Sequence, residues 1–318
     1  EGINEQIKKS MSSVEEETLE SLKLLKLSSK GFSMILQMLN MVFSSKKLQK
    51  DEKLLGALLK TLMMTDTSRL QSQELICAAI FERYAKFTDN ARDLNGAIAL
   101  IDFMSIISSL SGEKHNYTTQ IHEMAEYFLH QKWENDGSNF NSNLEKLLST
   151  YVNKATNIET LVELIDEVEA FCKDNQKIQF PSINKTNFLC MIRVYLRRTT
   201  EIVNSTKSNF MSFAFWEKTA AIQCKFVEAV KWQKSAMALN LFLKNFIVFL
   251  KRFNTDGISV LRAVAKENTN KFVDLMKSIQ RIRRSAHGAA CELKHRKNVG
   301  ISKILPSVRQ QLESFYQE

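Results

Sequence analysis

Apolar residues recur along most of the chain at intervals of three and four residues, which is the period of an amphipathic helix. The clearest example is residues 158–172, where acidic residues fill most of the positions between the apolar ones. Its apolar face comprises Ile158, Leu161, Val162, Ile165, Val168 and Cys172. Asn157 precedes this segment and is a favoured residue type at a helix N-cap, so the pattern predicts that a helix begins there.

The same period predicts helices over much of the remaining chain. Ser13 and Glu16 have the spacing of a capping box at the start of the first helix. The connections are short except at residues 134–141 and 173–183. The predicted helices lie near residues 14–29, 32–45, 51–64, 69–88, 91–111, 117–133, 142–155, 184–204, 209–233, 255–267, 268–286 and 305–317.

The longest apolar run is Ala236–Leu250, in which 12 of 15 residues are apolar. A bilayer-spanning helix needs about 20 apolar residues, so this run is too short to cross a membrane. It predicts a buried central helix. Asn240, Lys244 and Lys251 fall on one narrow polar line, which we expect to face water.

Many helices joined by short connections favour an all-α fold in which antiparallel helix pairs stack as an α-solenoid of the HEAT or armadillo kind. No strict repeat period is visible, so we expect an irregular solenoid. The long connection near residue 175 coincides with a change in charge balance. It suggests a helical solenoid segment at residues 1–175 and a basic C-terminal helical domain at residues 176–318.

Glycine and proline are scarce, which supports the helical prediction and argues against an enzyme. The 318 residues include 9 Gly and 2 Pro, where average usage gives about 22 and 16. Turn-rich sandwiches, barrels and Rossmann-type sheets depend on these residues. The phosphate-binding patterns Gly-x-x-x-x-Gly-Lys and Gly-x-Gly-x-x-Gly and the nucleophile pattern Gly-x-Ser-x-Gly are absent. We therefore predict a non-enzymatic protein without a cofactor.

Two rows of potential metal ligands have the wrong geometry for a metal site. One row is His122, Glu126 and His130, and the other is His287, Cys291 and His295. Each is spaced i, i+4, i+8, so its ends lie about 12 Å apart on a helix and cannot converge on one ion. We predict no metal, and a helical metalloenzyme remains a third class that zinc analysis of the purified protein would test.

Cysteine usage and the first residues indicate an intracellular protein. The five cysteines are odd in number and show no paired spacing, and no signal peptide precedes them. These features predict a cytosolic or nuclear location. The chain starts without Met and ends on Glu318 within a helical pattern, so we expect a fragment of a longer protein.

Positive charge is concentrated at the C-terminal end. Residues 1–150 carry 17 Lys/Arg and 20 Asp/Glu, and residues 151–200 carry 7 and 6. Residues 201–318 carry 20 Lys/Arg and 9 Asp/Glu, which is a net charge of +11. The whole chain has a net charge of +9, so this end is more basic than the chain as a whole. Such asymmetry indicates a surface that faces phosphates or an acidic partner.

The most regular basic feature is Lys277, Arg281 and Arg284, spaced i, i+4, i+7 on one side of a predicted helix. The opposite, apolar side is predicted to comprise Phe272, Met276, Ile279 and Ala286. Other basic residues flank this row, namely Arg283, Lys294, Arg296 and Lys297. Three interpretations stay open: contacts to the phosphate backbone of nucleic acid, a nuclear import signal, or a solvated helix face.

A series of short matches begins near residue 116 and runs in order toward the C-terminus. It resembles the C-terminal region of the Fanconi anaemia group D type-two proteins, and the paralogous group I proteins, which share the architecture, are the less favoured assignment. The matching positions are Asn116-Tyr117, Ile121, Ala125, Phe128-Leu129, Trp133, Gly137–Asn141, Leu144, Leu147-Leu148, Tyr151, Phe180–Asn184, Arg193-Val194, Phe215–Glu217, Met276–Gln280, Arg283-Arg284, His287, Cys291, Lys294, Pro306 and Leu312-Glu313.

The resemblance implies a non-enzymatic helical solenoid that pairs with a group I-like subunit. In that family the pair encloses double-stranded DNA at interstrand crosslinks in the nucleus and is locked there by monoubiquitination. The resemblance puts the ubiquitin-acceptor lysine outside this chain. Lys277, Arg281, Arg283, Arg284, Lys294, Arg296 and Lys297 are our candidates for contacting duplex phosphates. The alternative is a protein-only helical scaffold, an assembly or transport adaptor, whose basic row serves as a nuclear import signal.

Overall fold

A computed structural model describes residues 91–110, 117–134, 139–165, 187–292 and 306–310, together with 36, 38, 41, 78, 80, 81, 88 and 313. The predicted helices at residues 14–29 and 51–64 and the capping box at Ser13 lie outside the described residues. So do the second half of the predicted helix 158–172 and most of the predicted helices 32–45 and 69–88.

Within the described ranges every secondary-structure element is a helix, which confirms the all-α fold class. Nine α-helices can be followed, and most of their starts and ends lie within four residues of the predicted ones. Helix α9 is an exception, since it ends at Glu292 and not at the predicted residue 286, and the predicted end of α4 at residue 172 lies outside the described residues. They are α1 Leu94–Leu110, α2 Thr118–Leu129, α3 Phe140–Val152, α4 Ile158–Leu164, α5 Phe188–Ser205, α6 Phe213–Gln233, α7 Ala236–Arg252, α8 Ile258–Glu267 and α9 Thr269–Glu292.

Side chains at the N-caps determine where several helices begin. Asn157 Oδ1 accepts a hydrogen bond from Thr160 N at 2.9 Å, which confirms the predicted start of α4. Ser212 caps α6 in the same way, so that helix starts at Phe213 rather than at the predicted residue 209. Residues 208–210 instead form a short 3-10 turn. Ser235 caps α7, only two residues after α6 ends.

The chain folds as two compact units, residues 1–147 and residues 148–318. The predicted boundary near residue 175 falls in residues 166–186, outside the described part of the chain, and stays a prediction. The candidate functional surface lies in the second unit.

In the second unit, the residues of α5 and α7 that contact each other lie a nearly constant distance apart in sequence. Thr200 Oγ1 on α5 donates to Asn245 Oδ1 on α7 at 2.7 Å, and Arg252 Nη2 donates to Thr206 O at 3.2 Å. These pairs are 45 and 46 residues apart. Because both numbers increase together, α5 and α7 run parallel, with α6 as the return helix between them.

Similar separations recur in other contacts. Arg198 Nε donates to Ala155 O across 43 residues, and in the first unit Lys146 pairs with Asp102 across 44 residues. The return helices are farther apart in sequence than α5 and α7. Glu228 on α6 accepts a hydrogen bond from Ser285 on α9, 57 residues away. HEAT and armadillo repeats span about 40–47 residues. The irregular solenoid therefore has a repeat that is visible in its contacts and absent from its residue types.

Helix α7 is buried, as its apolar run predicts, and Lys244 and Lys251 face water. Asn240, predicted to lie on the same water-facing line, is half-buried, and its Oδ1 atom is buried. Its aromatic rings form a stack in which Phe242 lies 5.6 Å from Phe246 and Phe246 lies 5.9 Å from Phe249. The buried Trp216 of α6 packs edge-on against this stack. Among the described residues no helix is long and apolar enough to cross a bilayer.

Helices α7 and α8 are joined by a π-helical turn at Phe253–Gly257 instead of a loop. The buried Phe253 ring continues the aromatic stack, with centroids 5.7 Å from Phe249 and 5.2 Å from Trp216. A Cβ on Gly257 would lie 2.7 Å from Phe253 Cδ2. Only glycine leaves room for the ring at this point.

Replacing Gly257 by Ala is expected to lower the free energy of unfolding by about 1–3 kcal/mol, because the new methyl group overlaps the buried Phe253 ring. Gly288→Ala is the matched control. A Cβ there meets nothing within 4 Å, so alanine should stabilise α9 by about 0.5–1 kcal/mol. Urea unfolding followed by circular dichroism measures both, and equal effects would contradict the packing at Gly257.

Replacing Phe246 by Ala is expected to cost about 3–5 kcal/mol, because the ring is buried between two stacked neighbours. Phe210→Ala removes the same ring from a position that is 68% exposed and should change stability by less than about 0.5 kcal/mol. Thermal unfolding of the two variants gives the comparison. A small loss for Phe246→Ala would mean that α7 is not the centre of the packing.

Candidate nucleic-acid interface

Helix α9 carries the basic row and is anchored by its opposite face. Asn268 is the only residue between α8 and α9, and its Oδ1 accepts from Lys271 N at 3.2 Å, which caps α9. The buried face of α9 follows the 3–4 spacing of an amphipathic helix and packs mainly on α6. This face comprises Leu275, Ile279, Ile282, Ala286 and Ala289.

The predicted apolar face of α9 is partly wrong. Ile279 and Ala286 are buried as predicted, but Phe272 and Met276 are half-buried and line a groove beside α8. The buried stripe is turned around the helix axis relative to the predicted one, because α6 covers the side that includes Leu275 and Ile282.

Lys277, Arg281 and Arg284 are all exposed, on the side of α9 opposite the buried face. A rise of 1.5 Å per residue means that the row extends over about 10 Å. The side chains share one surface, so their charges act together on anything that approaches it.

Two residues of the row make ion pairs that leave their charge accessible. Lys277 Nζ lies 3.6 Å from Asp274 Oδ1, and Arg281 Nη2 lies 3.8 Å from Glu228 Oε1 on α6. Both cationic side chains are more than 70% exposed, and exposed pairs of this kind contribute about 0–1 kcal/mol. No carboxylate within the described residues pairs with Arg284. The row is therefore available to a stronger anionic ligand.

The flanking basic residues do not all join this row. Arg283 is half-buried and lies about 100° around the axis from Arg284 and about 160° from Arg281. The structure thus separates Arg283 from the other three. Lys294, Arg296 and Lys297 lie outside the described residues, and their assignment to the interface stays a prediction.

A groove between α8 and α9 adjoins the row and was missed by the sequence analysis. Its volume is about 830 Å³, and its floor is apolar. Arg262 of α8 lines it together with Lys277, Arg281 and Arg284 of α9. The floor residues are Ile258, Leu261, Ala265, Phe272, Val273 and Met276. The sequence predicted adjoining helices at residues 255–267 and 268–286, but an apolar pattern does not give the angle between two helices, so the groove could not be predicted from it.

Cys224 of α6 lies behind the row, with its Sγ 3.9 Å from Ser278 O of α9. Burial raises the pKa of this thiol, while the nearby Arg281 guanidinium lowers it and the Glu228 carboxylate raises it further. Arg281 is thus electrostatically coupled to α6 as well as facing solvent.

The two rows of potential metal ligands do not form a metal site in the part of the chain that the structure describes. His287 Nε2 and Cys291 Sγ lie 3.6 Å apart on exposed α9, and His295 lies outside the described residues. No group of three or more His, Cys, Asp or Glu in the described ranges could hold a metal ion.

The stacked helices contact each other at a recurring separation in sequence, and α9 carries a cationic row on its exposed side. These features define an all-α helical-repeat protein of the α-solenoid class. Residues 5–317 match the family model described as "Fanconi anaemia protein FancD2 nuclease". The chain therefore belongs to the FancD2 family, which confirms the resemblance found in the sequence.

Two relatives illustrate how the chain compares with this family. It is 23% identical over 284 residues to the Fanconi anemia group D2 protein homolog of Drosophila melanogaster. It is 24% identical over 272 residues to the Fanconi anemia group D2 protein of Gallus gallus. These alignments cover 81% and 79% of this chain but only 19% of each relative. The chain spans about a fifth of the length of the relatives it matches.

Replacing Arg281 by Gln is expected to slow alkylation of Cys224 at pH 8.5, because losing the cation raises the pKa of the thiol further and reduces the thiolate fraction. The measurement is the rate of iodoacetamide labelling of the Cys224 peptide by mass spectrometry. Arg284→Gln, which removes the neighbouring cation, serves as the control and should leave the rate unchanged. Equal rates in wild type and Arg281→Gln would show that the charge of Arg281 does not act on the Cys224 thiol of α6.

Proposed function

We propose that the chain is a non-enzymatic part of a DNA-interstrand-crosslink repair protein that holds double-stranded DNA through the basic face of α9. The observation that carries this proposal is the exposed row of Lys277, Arg281 and Arg284, spread over about 10 Å on the face opposite the packing of α9. Membership in a family of Fanconi anaemia proteins supports a role in DNA repair.

A row of this kind suits the phosphate backbone better than base edges. Duplex DNA presents one negative charge for about every 1.7 Å of its axis, so three aligned cations meet phosphates in almost any register. Such contacts hold and orient the duplex without reading its sequence. We therefore expect binding that is independent of sequence and weakens steeply with salt.

The remaining parts of the proposal concern the whole protein. We propose that it pairs with a Fanconi anaemia group I-like subunit, acts in the nucleus, and carries ubiquitin on a part of the protein outside this chain. The family description includes the word nuclease, and the two relatives are named as Fanconi anemia group D2 proteins. We propose that this chain contributes binding and leaves the duplex intact.

The protein-only scaffold is the competing proposal. Under it, the row would be read by an import receptor and would have no effect on DNA. Because Lys277, Arg281 and Arg284 lie within a helix packed on α6, a receptor that reads an extended basic segment would have to unwind α9. A reporter fused to residues 270–300 would test import directly.

The variant Lys277→Glu/Arg281→Glu/Arg284→Glu is expected to bind a 30-bp duplex at least about tenfold more weakly than wild type at 100 mM salt. Each lost phosphate contact should also reduce the slope of log affinity against log salt by about 0.9. Fluorescence anisotropy with the full chain measures both quantities, and a gel of the recovered duplex with Mg²⁺ present should show it uncut.

The matched control is Lys231→Glu/Lys244→Glu/Lys251→Glu, which makes the same change in net charge at exposed positions of α6 and α7. Its duplex affinity should change by much less. If the two variants lose affinity equally, net charge rather than the α9 row carries the binding. Unchanged affinity in the α9 variant, with nuclear import lost, would favour the scaffold.

A further inference from the structure

The groove between α8 and α9 combines an apolar floor with basic edges. Three α9 side chains on its floor, Phe272, Val273 and Met276, remain partly exposed, and Val273 is 36% exposed. We propose that this groove is a protein-docking site that takes an amphipathic helix with an acidic polar face, supplied by a partner protein.

The apolar floor points to a protein rather than to nucleic acid. Incompletely covered apolar side chains that are contiguous and rimmed by polar residues mark interaction surfaces. A phosphate backbone interacts with cations and leaves such a floor exposed to water. The apolar face of a helix covers it, and each buried methylene then contributes about 0.8 kcal/mol.

The charges on the groove select an acidic occupant. Arg262 lines the groove on α8, and Lys277, Arg281 and Arg284 line it on α9. The two helices that form the groove, residues 258–292, carry 7 Lys/Arg against 3 Asp/Glu. Glutamates that flank the apolar face of a guest helix would meet these cations at the rim, whereas a basic guest helix would be repelled.

The dimensions of the groove fit a short helical segment. Helix α8 has 10 residues and is therefore about 15 Å long, which matches about ten residues of a guest helix. A guest of that length presents apolar anchors at i, i+3 or i+4, and i+7. The floor offers apolar side chains from both walls along this length, from Ile258 and Leu261 on α8 to Met276 on α9.

The proposal goes beyond the duplex contact and stands without it. The duplex would contact only the exposed cations of α9, namely Lys277, Arg281 and Arg284. The guest helix needs the floor as well, so changes to the floor distinguish the two ligands.

The experiment measures binding of a fluorescent 16-residue probe peptide to the full chain. The probe has Leu at the anchor positions of one face and Glu and Ala elsewhere. Met276→Gln keeps the length of the side chain and makes the floor polar, and it should weaken probe binding by about fivefold or more. Met237→Gln, at a methionine 59% exposed at the start of α7, is the matched control and should bind the probe like wild type.

Three further arms sharpen the test. A probe with Lys in place of Glu should not bind, and Val273→Ser should repeat the effect of Met276→Gln at a more exposed position, where the fold is least at risk. Met276→Gln should leave duplex affinity unchanged. Thermal unfolding of each variant verifies that it is folded.

Absence of probe binding to wild type, or equal binding to wild type, Met276→Gln and Val273→Ser, would overturn the groove proposal. So would equal binding of the Glu and Lys probes. None of these results depends on DNA. Loss of the duplex contact in the α9 charge variant therefore remains a separate question with a separate answer.

Discussion

Burial of the aromatic face of α7 is the interaction on which the rest of the second unit depends. The rings of Phe242, Phe246 and Phe249 stack along this helix, and Trp216 of α6 packs edge-on against Phe249. α7 also packs against α5 and α9. Because α6 is fixed by this core and α9 packs on α6, the direction of the basic row follows from the position of these buried rings.

The helices themselves could be predicted from sequence, because a 3.6-residue apolar period is a local property. Asn157 correctly predicted the start of α4, and the apolar run Ala236–Leu250 correctly predicted α7. The repeat could not be predicted. Each turn of the solenoid uses different residue types at equivalent places, such as a Thr200–Asn245 hydrogen bond in one and a Lys146–Asp102 ion pair in another. Only the contacts reveal that the separation is conserved.

The basic row was predicted from spacing alone, and its exposure required only that some other face of α9 be buried. Which face is buried could not be predicted. Phe272, Met276, Ile279 and Ala286 have helical spacing, and so do Leu275, Ile279, Ile282 and Ala286. The position of α6 decides between the two sets. The groove is a consequence of that choice, since it leaves Phe272 and Met276 beside α8.

The close approach of Phe253 to Gly257 has a consequence for what the groove can accept. Helix α8 starts immediately after Gly257, so one wall of the groove is attached to the aromatic core without an intervening hinge. A guest helix bound as proposed would meet a wall whose position is set by the aromatic core and not by a flexible loop, which would reduce the ordering entropy lost on binding. The space left by one missing methyl group thus determines where α8 leaves the core and, with it, the position of one wall of the groove.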